Sequence, residues 1–214
     1  MVDTATAPSG NAWTRLANSN PIMEFIDVTL RGSGQVIFMD NPLTGLLNFV
    51  AMFVGAARGG TSFEVAIGSV IGTMVSTAMA YLLKANRGNL KAGIYGFNGM
   101  LVGACLPTFL AANPLMWLFL VVGSAVSTIV IMAVANFLAP YTMPAFTFPF
   151  VLTCWLIVLY AKKITGLPPS AGGPLPEGGF NFITAGLNSV SQVWFVADWV
   201  AGIIFLVALA VESI

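Results

Sequence analysis

The chain has 214 residues, of which 57% are hydrophobic and 7% charged, with 8 Lys+Arg balancing 8 Asp+Glu and no His. An ordinary soluble domain carries roughly 25% charged residues, so these charges are too few to cover a water-facing surface. A neutral chain without a basic run has no electrostatic footprint for nucleic acid, and the lack of His removes imidazole ligation of haem or zinc and His-based general-base catalysis.

Residues 1–20 are polar and lack the apolar core of a signal peptide, so they are read as a disordered tail. From residue 41 to residue 161 only Arg58, Glu64, Lys84, Arg87 and Lys91 interrupt an apolar sequence. A membrane-crossing helix needs about 20 apolar residues. The pattern predicts spans over Pro42–Ala57, Phe63–Leu83, Ile94–Leu110, Leu115–Leu138 and Phe146–Ala161, with a sixth over Trp199–Ile214. Ile22–Phe38 and Phe182–Phe195 are amphipathic, too short to span, and each precedes a full span. A helix that stops midway must be buried in protein or line a cavity, which points to a site near the midplane. The stretch 166–180 is rich in Pro and Gly and reads as an exposed linker.

The two short segments match at an offset of 157 residues. Phe25, Ile26, Leu30, Gln35, Val36, Phe38, Gly45, Val50 and Ala51 meet Phe182, Ile183, Leu187, Gln192, Val193, Phe195, Gly202, Val207 and Ala208, nine identities in a gapless window of 27. The Gln-Val-x-Phe match is no effect of composition, so the chain contains an internal repeat. An odd number of spans between the copies inverts the second. The expected fold is an all-α polytopic membrane protein: an inverted-repeat channel fold with half-spanning pore helices and a truncated second repeat. After the tail, 21–165 form the first repeat (pore helix plus five transmembrane helices), 166–180 the linker and 181–214 the start of the second (pore helix plus one). The sequence is expected to be a fragment of a longer chain, passing no solute alone.

Cys105 and Cys154 sit in apolar stretches and read as buried small hydrophobes. Gly68, Gly72, Ser76 and Ala80, and likewise Gly96, Gly99 and Gly103, make small-residue stripes suited to close helix packing. Gly32-Ser33-Gly34 lacks both the third glycine and the preceding strand of a phosphate loop. Glu64 and Asp198 lie near span ends and fit interfacial caps better than a proton relay. Five basic residues on one side against three on the other place the N-terminus in the cytoplasm.

Three runs, Arg31–Gly45 (RGSGQVIFMDNPLTG), Gly93–Leu106 (GIYGFNGMLVGACL) and Pro144–Val151 (PAFTFPFV), resemble in sequence, order and spacing the first half of the urea transporter family, bacterial type. The resemblance covers about residues 21–214. It implies two inverted halves, each with a half-spanning pore helix and five transmembrane helices. It further implies homotrimers with one pore per subunit in the plasma (inner) membrane, lipid as the surrounding partner, urea as the substrate, and no cofactor.

Urea is flat and uncharged, with four N–H donors and one carbonyl acceptor. A selective passage for it needs flat apolar walls and a row of acceptors that penalise a molecule unable to donate. Phe38 and Phe97 belong by resemblance to the aromatic slot, with Phe195 as the repeat partner of Phe38; Leu101, four residues beyond Phe97, shares its helical face. Gln35 and Gln192 are amides able to accept from and donate to urea. Val36 and Val193 are expected to line the path through backbone carbonyls. The resemblance places the family's mid-pore threonine at Thr147, and Pro149 removes a backbone donor beside it. The alternatives are core or lipid-facing phenylalanines, a glutamine bonded to a helix end, and a threonine hydroxyl bonded back to its own helix. At the level of function they are passage of other small neutral amides or ammonia, and a non-conducting fragment. An intramembrane enzyme is disfavoured by the lack of His and of a clustered acid pair.

Overall fold

Asparagine and proline punctuate the chain. Asn20, Asn41 and Asn113 each precede a Pro in the first helical turn, and their side chains accept from the backbone N–H of Met23, Leu43 and Met116. Asn86, Asn181 and Asp198 cap three more helices through the N–H groups of Asn89, Ile183 and Ala201. Such caps satisfy donors that a first turn leaves orphaned, which is costlier to neglect where water is absent.

The computed structural model describes residues 12–171 and 181–211. Its helices are α1 Ala12–Ala17, α2 Pro21–Gly34, α3 Pro42–Ala57, α4 Phe63–Leu82, α5 Arg87–Lys91, α6 Phe97–Phe109, α7 Pro114–Leu138, α8 Phe148–Lys163, α9 Phe182–Ser191 and α10 Trp199–Ala210. The protein is thus all-α and rich in apolar helices.

The expected disordered tail needs correction over its described part. Ala12–Ala17 is helical, and Trp13 Nε1 donates to Asp27 of α2 at 2.6 Å; residues 1–11 lie outside the described residues. The expected linker is mostly exposed over its described residues 166–171, but it is tied down where it begins. Leu167 is buried, Ala111 N–H donates to the Pro168 carbonyl and Ser170 N–H to that of Phe109, pinning this stretch to the end of α6. Residues 172–180 and 212–214 lie outside the described residues.

Of the six expected spans, the first and third are already short for a perpendicular crossing in the sequence. Among the described residues, α4 (20 residues) and Pro114–Tyr141 (28 residues) are long and apolar enough to cross a membrane alone. The half-helices pass that test only as bent pairs with the helices that follow them, at 74° for α2–α3 and 71° for α9–α10. Helix α6 has 13 residues, a rise of about 20 Å against a hydrocarbon core of about 30 Å. The reason is burial: every residue from Phe97 to Pro107 is buried. A helix buried over all but its last two residues is free to begin inside protein. Its glycines face those of α4, where a Cβ on Gly72 would collide with the Gly99 carbonyl and one on Gly103 with that of Gly68.

The two copies share a backbone motif. Helix α2 runs into a single 3-10 turn, Gln35–Ile37, and Phe38 then takes left-handed φ 61°. Helix α9 runs into the turn Gln192–Trp194, and Phe195 takes φ 61°. The shared glycines allow the close crossing that follows: a Cβ on Gly45 would collide with the Leu30 carbonyl, and one on Gly202 with the Leu187 carbonyl. Thr44 Oγ1, at the start of α3, donates to the Ala208 carbonyl near the end of α10 at 2.9 Å. Gly55, near the end of α3, faces Ala201 at the start of α10. Helices α3 and α10 are therefore antiparallel, and the copies run in opposite directions.

Candidate functional site

The bend between α2 and α3 opens onto a cavity of about 610 Å³, lined by Gln35, Phe38, Phe97, Ile131, Asn136 and Phe146 among others. No charged side chain is among its described lining residues. Its walls offer aromatic faces and neutral amides, which suit an uncharged polar solute and leave an ion facing its full desolvation cost.

Gln35 is buried, and its Nε2 donates to the Ala92 carbonyl at 2.8 Å. That acceptor fixes which way the amide points. Oε1 and the second Nε2 hydrogen are left over, an acceptor and a donor. Phe38 is 63% exposed and meets Phe146 edge to face, with ring centroids 5.6 Å apart. A bulky residue at positive φ is uncommon and persists only where its surroundings over-determine it. Here the Met39 N–H donates to the Gly34 carbonyl, and Arg31 bridges from Asp27 (2.8 Å) to Asp40 (2.6 Å).

Phe97 is buried and lines the cavity from the first turn of α6. Leu101 and Val36 are buried in the apolar cluster behind it and are not among the lining residues. Thr147 follows Phe146 at the start of α8, half-buried, and its hydroxyl has no hydrogen bond among the described residues. The expected alternative of a hydroxyl bonded to its own helix does not occur. Phe195 packs edge-on against Phe109 (6.1 Å) and Phe150 (6.2 Å).

Gln192 and Val193 are exposed and outside the cavity. Asp198 caps α10 through Ala201 N–H and pairs with Arg58 at 2.8 Å. Sequence reasoning missed Asn98, which is fully buried. Its Nδ2 donates to the Phe146 carbonyl at 3.3 Å and its Oδ1 accepts from Phe150 N–H at 2.9 Å. The signal available was a polar residue inside Gly-Phe-Asn-Gly, in a helix otherwise apolar.

Two inverted copies of a half-helix bent against a membrane helix, with an uncharged cavity at the bend, define a helical membrane protein of the inverted-repeat transport class. Residues 26–214 match the profile of the urea transporter family, and the chain belongs to that family. Urea transporter 1 of Ovis aries is 34% identical over 131 residues, covering 60% of this chain and 33% of that protein. The Mus musculus and Rattus norvegicus proteins of that name are 33% and 31% identical over 132 residues, with the same coverage. The chain thus matches about a third of the length of these relatives.

Proposed function

We propose that the protein lets urea cross the membrane passively, along a path that leads from the cavity past Phe38, Thr147 and Phe195. The observation that carries the reading is the pairing of rings around Thr147. Phe38 leans on Phe146 and Phe195 on Phe150, so the two left-handed phenylalanines of the repeat flank the segment holding an unbonded hydroxyl. In this reading Phe38, Phe97 and Phe195 grip the faces of urea, with Leu101 behind Phe97. Gln35 Oε1, the Thr147 hydroxyl and the carbonyls of Val36 and Val193 accept from its N–H groups, and Gln192 serves the opposite mouth. A neutral solute needs no charged relay, in keeping with a cavity free of charged lining.

The family relationship supports urea as the substrate. The same reading carries assembly as a homotrimer and insertion in the plasma membrane with a cytoplasmic N-terminus. The test is solute flux through the protein, as its gene encodes it, in proteoliposomes. The protein is expected to raise urea entry over the protein-free rate by a larger factor than entry of acetamide or water. Thr147→Val, which keeps shape and deletes the acceptor, is expected to lower urea flux about five-fold, the worth of one hydrogen bond. Urea entry at the protein-free rate overturns the function, and unchanged flux in a folded Thr147→Val protein removes Thr147 from the path.

A further inference from the structure

We infer that Asn98 is a positioning residue that keeps the Thr147 hydroxyl free for solute by taking over the capping of α8. The inference rests on the functional reading above and adds a residue on which it depends.

Thr147 occupies the N-cap position of α8, with Phe148, Pro149 and Phe150 as the first three helical residues. A threonine at an N-cap ordinarily spends its hydroxyl on the backbone N–H of the second or third helical residue. Both partners are missing here for separate reasons. Pro149, the second residue, has no N–H. Phe150, the third, already donates to Asn98 Oδ1 at 2.9 Å. The remaining early donor, Phe148 N–H, bonds to the Ala145 carbonyl at 3.2 Å. The α8 start is thus capped from another helix, and its own N-cap side chain is left unbonded.

Asn98 also governs the shape of the segment. Its Nδ2 donates to the carbonyl of Phe146, which has left-handed φ 46°. One amide therefore grips a donor and an acceptor on either side of Thr147. Turning that amide over would set N–H against N–H and C=O against C=O, so its orientation is determined. Asn98 is 0% exposed, lies one residue past Phe97 on α6 and is not among the cavity-lining residues. It acts through Thr147, not on solute.

The test is a double-substitution cycle on urea flux in proteoliposomes, using the protein as its gene encodes it. In Asn98→Leu the Phe150 N–H loses its partner and recaptures the Thr147 hydroxyl, so flux is expected to fall about five-fold, as in Thr147→Val. Asn98→Leu/Thr147→Val is expected to fall no further than either single variant, because both remove the same acceptor. Asn98→Asp, measured at about pH 5 where a buried carboxyl is protonated, reproduces both the acceptor and the donor. It is expected to conduct within about two-fold of the unaltered protein.

Losses that multiply in the double variant overturn the inference, as does an Asn98→Asp protein as impaired as Asn98→Leu. If Asn98→Leu fails to fold, Asn98→Asp decides the matter alone: retained flux supports the inference and lost flux overturns it. No urea flux through the unaltered protein overturns the functional reading and the inference with it. Flux through the unaltered protein with multiplying losses overturns the inference alone.

Discussion

Replacing Asp198 tests how the second half-helix is tied to the first repeat. The side chain is 7% exposed; Oδ1 accepts from Ala201 N–H at 2.8 Å and Oδ2 meets Arg58 Nε at 2.8 Å. The Arg58 guanidinium also lies over the Trp199 ring, 5.5 Å from its centroid. Asp198→Ala removes a cap worth about 1 kcal/mol. It also removes an ion pair whose arginine is 43% exposed, so that solvent screening holds its share to about 0.5 kcal/mol. The expected loss is about 1.5 kcal/mol. Asp198→Asn keeps the capping oxygen and loses only the charge, for about 0.5 kcal/mol. The first copy supports this expectation, since Asn41 holds the matching position and caps α3 through Leu43 N–H at 2.9 Å. Unfolding in mixed micelles on titration with sodium dodecyl sulfate, followed by tryptophan fluorescence, measures both variants. Added salt should narrow the gap between the unaltered protein and Asp198→Asn, and leave the gap between Asn and Ala in place. Equal losses for Asn and Ala would refute the division into cap and charge.

Two further outcomes follow from packing. Gly45→Ala and Gly202→Ala each drive a methyl group into a half-helix carbonyl, at about 1–3 kcal/mol. Gly45→Ala should cost more, because α2 is held by α4 and α6 as well as α3, whereas α9 packs on α10 and is freer to yield; the same micelle titration checks the order, and a reversed order refutes it. Trp13→Phe keeps the ring and removes the N–H that reaches Asp27, at about 1 kcal/mol; hydrogen exchange in α1 should rise with little change elsewhere, and unchanged exchange would show that this bond does not hold α1.

What the sequence made legible followed from backbone rules. Part of the repeat falls where the two copies share backbone geometry: Gly45 and Gly202 lie under a carbonyl, and Gln-Val-x-Phe makes a 3-10 turn and a left-handed residue. Gln35, Phe38 and Phe97 were legible as neighbours and line one cavity. The shortness of the third span was legible too, but not its reason, because apolar composition describes a lipid-facing helix and a largely buried one alike, and α6 is the latter. Asn98 was hidden because its partners lie 48 and 52 residues away. Helix α1 was hidden because its docking depends on one indole N–H finding a carboxylate on another helix.

The two copies hold the same turn by different means, and the difference says which feature matters. In the first, Arg31 bridges Asp27 and Asp40 around the loop after Phe38. The matching positions of the second are Asn188, Thr184 and Ala197, none of them charged. There the loop is held from outside: Ala197 N–H donates to the Gly60 carbonyl at 2.7 Å, and Asp198 pairs with Arg58. The charges do not carry over, whereas the backbone bonds do: Phe38 N–H to Gln35 and Met39 N–H to Gly34 recur as Phe195 N–H to Gln192 and Val196 N–H to Ser191. Yet both loops begin with a phenylalanine at φ 61°, a conformation that costs a bulky residue about 1–3 kcal/mol. Stability alone would relieve that strain with glycine at either position. Its presence twice, under the same backbone bonds but with different side-chain ties, singles out the direction of the two rings as a property common to both bends, and those are the rings that pack beside the two ends of the Phe146–Phe150 segment.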